Sequence, residues 1–314
     1  MKSEIMVLSP LGDRQMADLD QRYHLLRADL AQNASDFIEK NGQNCRAVIS
    51  TGNIVFDKKL ISKLPQVGLV ACVTAGFDQV NLNDLKDHKI HLTNTPDVLT
   101  ADVADVALML MLAARRRLIF GDHYVRSGEW AKKGPMPLTE TTDGKRAGVV
   151  GLGRIGHAIA KRFESCGLKI GYYGRHKKTD VAYQFFPSLI DMAKWADILV
   201  VAVTGGKETE KLVSKEVIAA LGKHGSLINI SRGTVIDEEA MIDALQKGEL
   251  ESAGLDVYLN EPNINPAFYK LENAVLYPHH GSGTVETRDR MSDLVVENID
   301  AFFAGNTLPT EVAF

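Results

Sequence analysis

The sequence predicts an α/β fold with two Rossmann-like or flavodoxin-like domains, each built on a doubly wound parallel sheet. The first observation is length, because 314 residues correspond to about two domains of ordinary size. The second is composition: 45% hydrophobic and 24% charged residues are typical of a globular protein. The third is the alternation of short apolar runs with helix-like segments, which is typical of parallel βαβ units.

The charge and the apolar runs exclude several classes of protein. A net charge of −4 provides no broad basic surface, so we expect neither nucleic acid nor an anionic membrane as a partner. The longest apolar run, residues 106–114, is shorter than the roughly 20 residues of a membrane-spanning helix. The apolar run near the N-terminus is too short for a secretory signal.

The cysteines point to the same kind of compartment. Cys45, Cys72 and Cys166 show neither C-x-x-C nor metal-ligand spacing. An odd, sparse set predicts free thiols in a reducing environment. We therefore expect a cytoplasmic protein without a metal site.

The first part of the chain predicts one sheet that is completed by the end of the chain. Its apolar runs predict four strands, Ile5–Leu8, Ala47–Thr51, Leu69–Thr74 and Ile90–Thr93. The Thr95-Pro96 step is a plausible crossing point, because proline restricts its own backbone and that of the preceding residue. A long helix predicted from about Thr284 to Ala304 is expected to return to this domain. The predicted division is 1–96 with 285–314 for one domain and 97–284 for the other.

The inserted domain is predicted to begin with an apolar helix and to contain six strands. Thr100 can cap that helix, and Arg115, Arg116 and Arg117 lie at its negative end. Its middle is apolar almost all round, so we expect it to be buried between layers or between subunits. The predicted strands are Ala147–Val150, Leu168–Tyr173, Ile198–Val203, Ser226–Ile230, Ala253–Asp256 and Ala274–Tyr277.

A glycine-rich turn at the start of this domain predicts a dinucleotide site. Gly151, Gly153 and Gly156 form G-x-G-x-x-G between an apolar strand and a helix that begins near Arg154 and Ile155. The first glycine permits the tight turn, the second allows a pyrophosphate to approach free backbone amides, and the third allows close packing of helix on strand. A lone motif is weak, but strand, helix and following strand all agree here.

The end of the next predicted strand favours NADP(H) over NAD(H). An acid is usual about 20 residues after the turn, where it binds the ribose hydroxyl of NAD. This chain has Gly174 there, followed by Arg175, His176, Lys177 and Lys178. An acid would repel a 2′-phosphate, whereas arginine can bind it with two hydrogen bonds. The alternative is a solvated basic turn.

Three short stretches after later strands supply a guanidinium, a carboxylate and an imidazole. They contain Arg232, Glu261 and His279, the last followed by His280. Reduction of a 2-keto acid requires this set: imidazolium can protonate the carbonyl oxygen, a carboxylate stabilises the imidazolium, and arginine can bind the substrate carboxylate. Each residue alone would more often be structural.

These stretches resemble the D-isomer-specific 2-hydroxy acid dehydrogenase family over nearly the whole chain. The matching motifs are VTAGFDQVN, GLGRIGHAIAKR, INISRGTVIDEEAMIDALQKGEL, AGLDVYLNEP and PHHGSGTVETRDRM. The nearest likeness is to the branch of glyoxylate/hydroxypyruvate and 2-ketogluconate reductases. The resemblance implies that Arg232 binds and polarises the substrate, that Glu261 partners the catalytic histidine and that His279 donates the proton. His280 and Gly283 depart from the usual PHIGSAT loop, and His280 receives no catalytic role.

The resemblance also implies further site residues and a homodimer. The amides of Ala75 and Gly76 match the loop that binds the substrate carboxylate. Trp130 can reach a neighbouring subunit's substrate pocket or be a surface aromatic, and Arg288 can face the substrate or pair with an acid. The remaining assignments are Gly52 for substrate and, for cofactor, Thr100, Val203, Thr204, Asp256 and Gly281.

The predicted function is NADPH-dependent reduction of glyoxylate, hydroxypyruvate or a longer keto acid such as 2-ketogluconate to the D-2-hydroxy acid. Residues 97–284 are then the NADP-binding domain, and residues 1–96 with 285–314 are the substrate domain. Two alternatives stay open. One is an NAD(P)-sensing, corepressor-like interaction protein, because fold alone does not determine function. The other is a D-2-hydroxy acid dehydrogenase with a different substrate.

Overall fold

The computed structural model describes residues 2–314, which form two compact units. The first unit contains the chain up to Leu99 together with Ser282–Phe314, and the second contains Thr100–Gly281. One unit therefore interrupts the other in sequence, as the fold prediction expected. The predicted divisions, after residues 96 and 284, lie near these points.

The first unit is built on a parallel sheet. Its strands are β1 (Glu4–Val7), β2 (His24–Arg27), β3 (Cys45–Ser50), β4 (Leu69–Cys72) and β5 (His91–Thr93). Its first helices are α1 (Asp13–Arg22), α2 (Ala34–Asn41), α3 (Lys58–Ile61) and α4 (Leu82–Asp87). The spatial order β2-β1-β3-β4-β5 is the flavodoxin-like order, in which ligands bind beyond the carboxyl ends of the strands.

The second unit is built on a larger parallel sheet. Its strands are β6 (Arg146–Val150), β7 (Lys169–Tyr173), β8 (Gln184–Phe186), β9 (Ile198–Val201), β10 (Ser226–Asn229), β11 (Ser252–Leu255) and β12 (Ala274–Leu276). Its helices are α5 (Thr100–Arg115), α6 (Leu118–Arg126), α7 (Glu129–Lys133), α8 (Arg154–Ser165), α9 (Leu189–Trp195), α10 (Lys215–Leu221) and α11 (Glu238–Lys247). The order β12-β11-β10-β9-β6-β7-β8 is a Rossmann order with a seventh strand, and it reverses between β6 and β9.

The last helix, α12 (Val285–Ala304), packs on β4 and α1 and thereby completes the first unit. The hydroxyl of Thr284 caps it by accepting a hydrogen bond from the amide of Thr287. The predicted return of this helix to the first domain is confirmed. Within residues 2–314, no helix is both long and apolar enough to cross a membrane.

Helix α5 is buried between layers of its own unit. It contacts α8 on one side and β10 and β11 on the other. A Cβ at Gly254 of β11 would lie 2.9 Å from the Cβ of Leu110, so the absence of a side chain there allows close packing of helix on strand. The nearly uniform apolar character of α5 thus has a structural cause within one chain.

The sequence prediction was wrong about two strands and one helix start. It missed β2 and β8, which are short strands at sheet edges and carry exposed polar positions. Neither strand contains a continuous buried apolar run, which was the signal used to predict strands. Thr100 was expected to precede α5 as its cap, but it is the first helical residue.

Candidate active site

The parallel sheet of the second unit brings the predicted catalytic segments to one edge. Strands β10, β11 and β12 are neighbours and run in the same direction, so their carboxyl ends lie side by side. Arg232 follows β10, Glu261 follows β11 and His279 follows β12. Segments far apart in sequence therefore meet where open α/β sheets bind ligands.

Glu261 and His279 form a short hydrogen-bonded pair. Nδ1 of His279 lies 2.6 Å from Oε2 of Glu261, and Oε1 of Glu261 accepts a hydrogen bond from the amide of Tyr258 at 2.8 Å. The carboxylate is thus held at both oxygens. Because an ionised carboxylate only accepts, we assign the proton on Nδ1 to this bond, which leaves Nε2 for a reacting group.

The surroundings of Glu261 keep it ionised. Partial burial raises the pKa of this carboxyl group, but the hydrogen bonds from His279 and the Tyr258 amide oppose that effect. The positive charges of His279 and Arg232 act in the same direction, and the net result is a pKa below the ordinary 4.5. A carboxylate beside the imidazole is therefore present at neutral pH.

The segment that carries Arg232 is held from two sides. The guanidinium donates to the carbonyl of Ser231 at 2.7 Å, and the side-chain amide of Asn229 donates to the carbonyl of Arg232 at 2.9 Å. A Cβ at Gly233 would lie 2.0 Å from the carbonyl carbon of Tyr258. Glycine at this position therefore lets the Arg232 segment approach the backbone of the segment that contains Glu261.

Asp256 fixes the loop that contains His279. Its carboxylate is buried and accepts hydrogen bonds from the amides of His280 at 2.7 Å and Gly281 at 2.9 Å. Burial raises the pKa of Asp256, although these amides and the charge of His279 oppose it. His279 itself has φ of +50°, a conformation that costs energy for a residue with a Cβ. The two bonds to Asp256 hold the loop in this shape.

The glycine-rich turn lies at the point where the strand order reverses. Gly151 has φ of +93°, and a Cβ there would lie 2.7 Å from Cγ1 of Val203, which follows β9. A Cβ at Gly156 would lie 2.0 Å from the carbonyl oxygen of Gly151. Both glycines are therefore required for backbone packing.

Gly153 differs from the other two glycines, because a Cβ there would meet nothing within 4 Å. It is exposed at the start of α8, and no side chain caps this helix. The first turn of α8 thus presents backbone amides and the positive end of the helix dipole to an open space. This arrangement fits a pyrophosphate, with Arg154 and Ile155 as the first helical residues.

The basic turn after β7 is exposed and has room beside it. Arg175, His176, Lys177 and Lys178 are exposed, and none forms an ion pair with any residue in the described range 2–314. A Cβ at Gly174 would meet nothing within 4 Å. The amide of Lys178 donates to the hydroxyl of the buried Tyr172 at 2.7 Å, which anchors the turn to the strand below it.

The predicted substrate loops of the first unit are in direct contact with each other. A Cβ at Gly52 would lie only 1.8 Å from the carbonyl oxygen of Gly76. The amide of Gly52 also donates to Oγ1 of Thr74 at 2.8 Å, and Ala75 follows Thr74 in the chain. The loops after β3 and β4 thus form one continuous surface of backbone.

The other predicted site residues make few contacts that indicate a specific role. Trp130 is 60% exposed on α7, and Arg288 is exposed on α12 without an ion pair among the described residues. The carbonyl of Thr204 accepts a hydrogen bond from the hydroxyl of Thr209 at 2.8 Å. Thr100 is the first residue of α5, and Gly281 is bound through its amide by Asp256. No group of three potential metal ligands is found in the described part of the chain.

Sequence reasoning missed two residues that hold the Glu261 segment. The Tyr258 hydroxyl lies 3.0 Å from the carbonyls of Leu255 and Tyr277 and accepts from the Tyr277 amide at 2.9 Å, so it links the ends of β11 and β12. The buried carboxylate of Glu238 accepts from the amide of Leu259 at 2.9 Å. Neither contact has a signal in residue spacing, because both depend on tertiary proximity.

Known proteins resemble this chain in sequence and in fold. Residues 108–281 match the family model described as D-isomer specific 2-hydroxyacid dehydrogenase, NAD binding domain. The chain is 45% identical to a glyoxylate/hydroxypyruvate reductase of Arabidopsis thaliana, covering 98% of each chain. It is 37% identical to a 2-ketogluconate reductase of Gluconobacter oxydans, covering 99% of each. An NADPH-dependent glyoxylate/hydroxypyruvate reductase of Sinorhizobium meliloti, solved with NADP and malonate, matches with a TM-score of 0.90 and 36% identity over 100% of this chain and 97% of that one.

Glu261→Gln is expected to lower the thermal unfolding midpoint at neutral pH and to have little effect in acid. The folded pKa of Glu261 lies below its ordinary 4.5, so the ionised carboxylate contributes stability that is fully present above about pH 4.5. That contribution is lost as the pH falls through the folded pKa, since the native carboxylate is then protonated as well. Melting curves of both proteins across this range test the expectation.

Glu208→Gln is the matched control, because Glu208 is exposed on the same unit and makes no hydrogen bond within the described residues. Its melting midpoint should follow that of the unmodified protein at every pH. A gap between Glu261→Gln and the unmodified protein that stays constant into strong acid would contradict the role of the ionised carboxylate.

Proposed function

The chain belongs to the D-isomer specific 2-hydroxyacid dehydrogenase family, and from this premise we propose that it reduces 2-keto acids to D-2-hydroxy acids with NADPH. The observation that carries the proposal is the 2.6 Å bond between Glu261 and His279. It presents an imidazole with one nitrogen bound to a carboxylate and the other available, which is the arrangement a proton donor requires.

The proposed substrates are glyoxylate and hydroxypyruvate, with 2-ketogluconate as a further candidate. Relatives with these names are 45% and 37% identical to this chain along nearly its full length. All three substrates share a carboxylate next to a reducible carbonyl. Backbone amides and a guanidinium can recognise that shared feature, whereas the rest of the substrate depends on side chains around it.

In the proposed mechanism, each residue at the sheet edge has one task. Bound NADPH supplies the hydride. Arg232 binds the substrate carboxylate and polarises the carbonyl, and Nε2 of His279 donates the proton to the carbonyl oxygen as negative charge develops there. Glu261 stabilises the imidazolium through Nδ1 before the proton leaves. The amides of Ala75 and Gly76, with Gly52 beside them, are proposed to bind a substrate carboxylate.

We further propose that the second unit binds the coenzyme and that the first binds the substrate. Gly151, Gly153 and Gly156 shape the open helix terminus for the pyrophosphate. The exposed cations Arg175 and Lys177, with the imidazole of His176 beside them as a further hydrogen-bonding group, favour NADPH over NADH, because a 2′-phosphate would provide the anion that the cations lack among the described residues. Thr100, Val203, Thr204, Asp256 and Gly281 are proposed to line the rest of the coenzyme site.

A homodimer is proposed from the exposed apolar residues of the second unit. Most of them lie in one stretch of the chain from α5 to just beyond α7, and Ile190 and Tyr269 lie elsewhere; the residues of the stretch are Met109, Leu118, Ile119, Val125, Trp130 and Leu138. A second copy of the chain would cover such a stretch. In that assembly we propose that Trp130 contacts the substrate bound to the partner subunit. We propose that Arg288 contacts the substrate bound to its own chain.

The unpaired cysteines support a reducing compartment such as the cytoplasm.

His279→Ala is expected to reduce kcat for hydroxypyruvate by at least about 100-fold, the usual contribution of a general acid. NADPH should still bind, which fluorescence titration can measure. The adjacent His280→Ala is the matched control, since the contact of His280 with Asp256 is made by its backbone amide. It should keep kcat within a few-fold.

Two outcomes would contradict the assignment of His279. Near-normal turnover by His279→Ala would remove its role as proton donor. An unmodified protein that binds NADPH but reduces no keto acid would instead favour the non-enzymatic sensor that the sequence left as an alternative.

Arg175→Ala is expected to raise the KM for NADPH by about 10-fold or more, because a hydrogen bond to a charged group contributes about 1.5–3 kcal/mol. The KM for NADH should change little. Lys223→Ala removes an exposed cation elsewhere on the same unit and should affect neither coenzyme. Equal changes for NADPH and NADH in Arg175→Ala would exclude binding of the 2′-phosphate by this residue.

Ile119→Asp is expected to convert the proposed dimer into a monomer. Ile119 is 62% exposed in the single chain, and a carboxylate at this position would be costly to bury in an apolar interface. Light scattering should give twice the chain mass of 34.4 kDa for the unmodified protein and the single mass for the variant. Leu30→Asp, at an exposed leucine of the first unit, should remain dimeric. A single-chain mass for the unmodified protein would refute the dimer.

A further inference from the structure

The hydroxyl of Thr74 connects the two loops that carry the proposed carboxylate site. It accepts a hydrogen bond from the amide of Gly52 at 2.8 Å and donates one to the carbonyl of Gly76 at 2.8 Å. A threonine hydroxyl has one proton and two lone pairs, so both bonds can exist at once. The loop after β3 and the loop after β4 are therefore linked through one oxygen atom.

The carbonyl groups in the second loop are directed away from a ligand. The carbonyl of Ala75 accepts a hydrogen bond from Nδ2 of Asn94 at 2.7 Å, and the carbonyl of Gly76 accepts from Thr74. Asn94 is anchored in turn, because its own carbonyl accepts from the hydroxyl of Thr310 at 2.6 Å. Side chains of the first unit thus hold two successive carbonyls of this loop.

The amides of the same loop have no partner in the described part of the chain. Neither the amide of Ala75 nor that of Gly76 donates a hydrogen bond to any of residues 2–314. Successive free amides with their carbonyls bound elsewhere form a concave site for an anion. Each amide shares a peptide plane with the carbonyl of the preceding residue. The bond from Asn94 to the Ala75 carbonyl therefore orients the Gly76 amide, and the bond from Thr74 to the Gly76 carbonyl orients the next amide, that of Phe77.

The spacing between the loops leaves little room for adjustment. Gly52 is buried, and its backbone lies so close to Gly76 that a Cβ would overlap the carbonyl oxygen at 1.8 Å. The carbonyl of Gly52 also accepts from the amide of Gln79 at 3.1 Å. Without the Thr74 hydroxyl, the Gly52 amide would lose its hydrogen-bond acceptor and the Gly76 carbonyl would lose its donor.

We propose that Thr74 is a positioning residue for substrate binding, which fixes the loop of Ala75, Gly76 and Phe77 by joining the Gly76 carbonyl to the Gly52 loop, so that the amides of this loop point toward the substrate carboxylate. Asn94 orients the Gly76 amide through the Ala75 carbonyl. This inference rests on the proposed reduction of 2-keto acids. Thr74 itself touches neither substrate nor coenzyme in this account.

Thr74→Val tests the proposal, because valine keeps the shape of the side chain and removes the hydroxyl. The KM for hydroxypyruvate and for glyoxylate should rise about 5- to 20-fold, the size expected for one lost hydrogen-bond link. The kcat should stay within about twofold, since a carboxylate bound equally in ground and transition states affects KM alone. The KM for NADPH should not change. Thr74→Ser, which restores a hydroxyl, should recover most of the affinity.

Thr95→Val is the matched control. The hydroxyl of Thr95 is buried and donates to the carbonyl of Val73, at the start of the same loop, at 3.0 Å. Its loss costs a hydrogen bond of the same kind and leaves the carbonyls of Ala75 and Gly76 bound. Thr95→Val should lower the melting midpoint about as much as Thr74→Val and leave the KM for both keto acids unchanged. Asn94→Ala provides a second test, because release of the Ala75 carbonyl should raise the same KM even if Thr74→Val fails to fold.

The failures can be told apart. If the unmodified protein reduces neither keto acid, the proposed function is wrong, and the role of Thr74 falls with it. Two results with an active unmodified protein would give Thr74 only a structural role. In the first, Thr74→Val keeps the normal KM for both keto acids. In the second, Thr74→Val loses kcat and the affinity for NADPH together. An equal rise in KM for Thr74→Val and Thr95→Val would lead to the same conclusion.

Discussion

The geometry of the proposed catalytic site depends on the hydrogen bonds of the buried Asp256 carboxylate. This carboxylate binds the amides of His280 and Gly281 and so holds His279 in a backbone conformation with positive φ. Burial of this group is costly, as the raised pKa shows, and two amide donors offset part of the cost. Without them the loop could relax, and the imidazole would lose its alignment with Glu261.

The same kind of contact, in which a carboxylate accepts hydrogen bonds from loop amides, recurs along this edge of the sheet. Oε1 of Glu261 binds the amide of Tyr258, and the buried Glu238 binds the amide of Leu259. The loop after β12 is thus held by Asp256, and the loop after β11 is held by its own Glu261 and by Glu238 of α11. Such bonds would orient the proposed catalytic groups before a substrate arrives, which reduces the reorganisation required in the transition state.

Much of the fold and of the site could be predicted from the sequence, because the signals are local. The apolar runs located β6, β7, β9, β10, β11 and β12, and the glycine spacing located the open terminus of α8. The contacts that support the site could not be predicted. Thr74, Glu238 and Tyr258 act through hydrogen bonds to segments up to 22 residues away in sequence, and no periodicity encodes such pairs. The short edge strand β8 was missed for a related reason, since it lacks an apolar run.

The proposed anion sites reach their selectivity in opposite ways. In the Thr74 loop, hydrogen bonds to the carbonyls fix the peptide planes and thereby orient the backbone amides on those planes. These amides carry no net charge, and they bind a carboxylate only in one orientation. In the basic turn, Arg175 and its neighbours stay exposed and unpaired with any described acid, which costs little in water and leaves their charge for an incoming phosphate. The local sequence of the turn is enough to reveal the second arrangement. The first depends on which groups already have partners, and for that reason it becomes visible only in the folded chain.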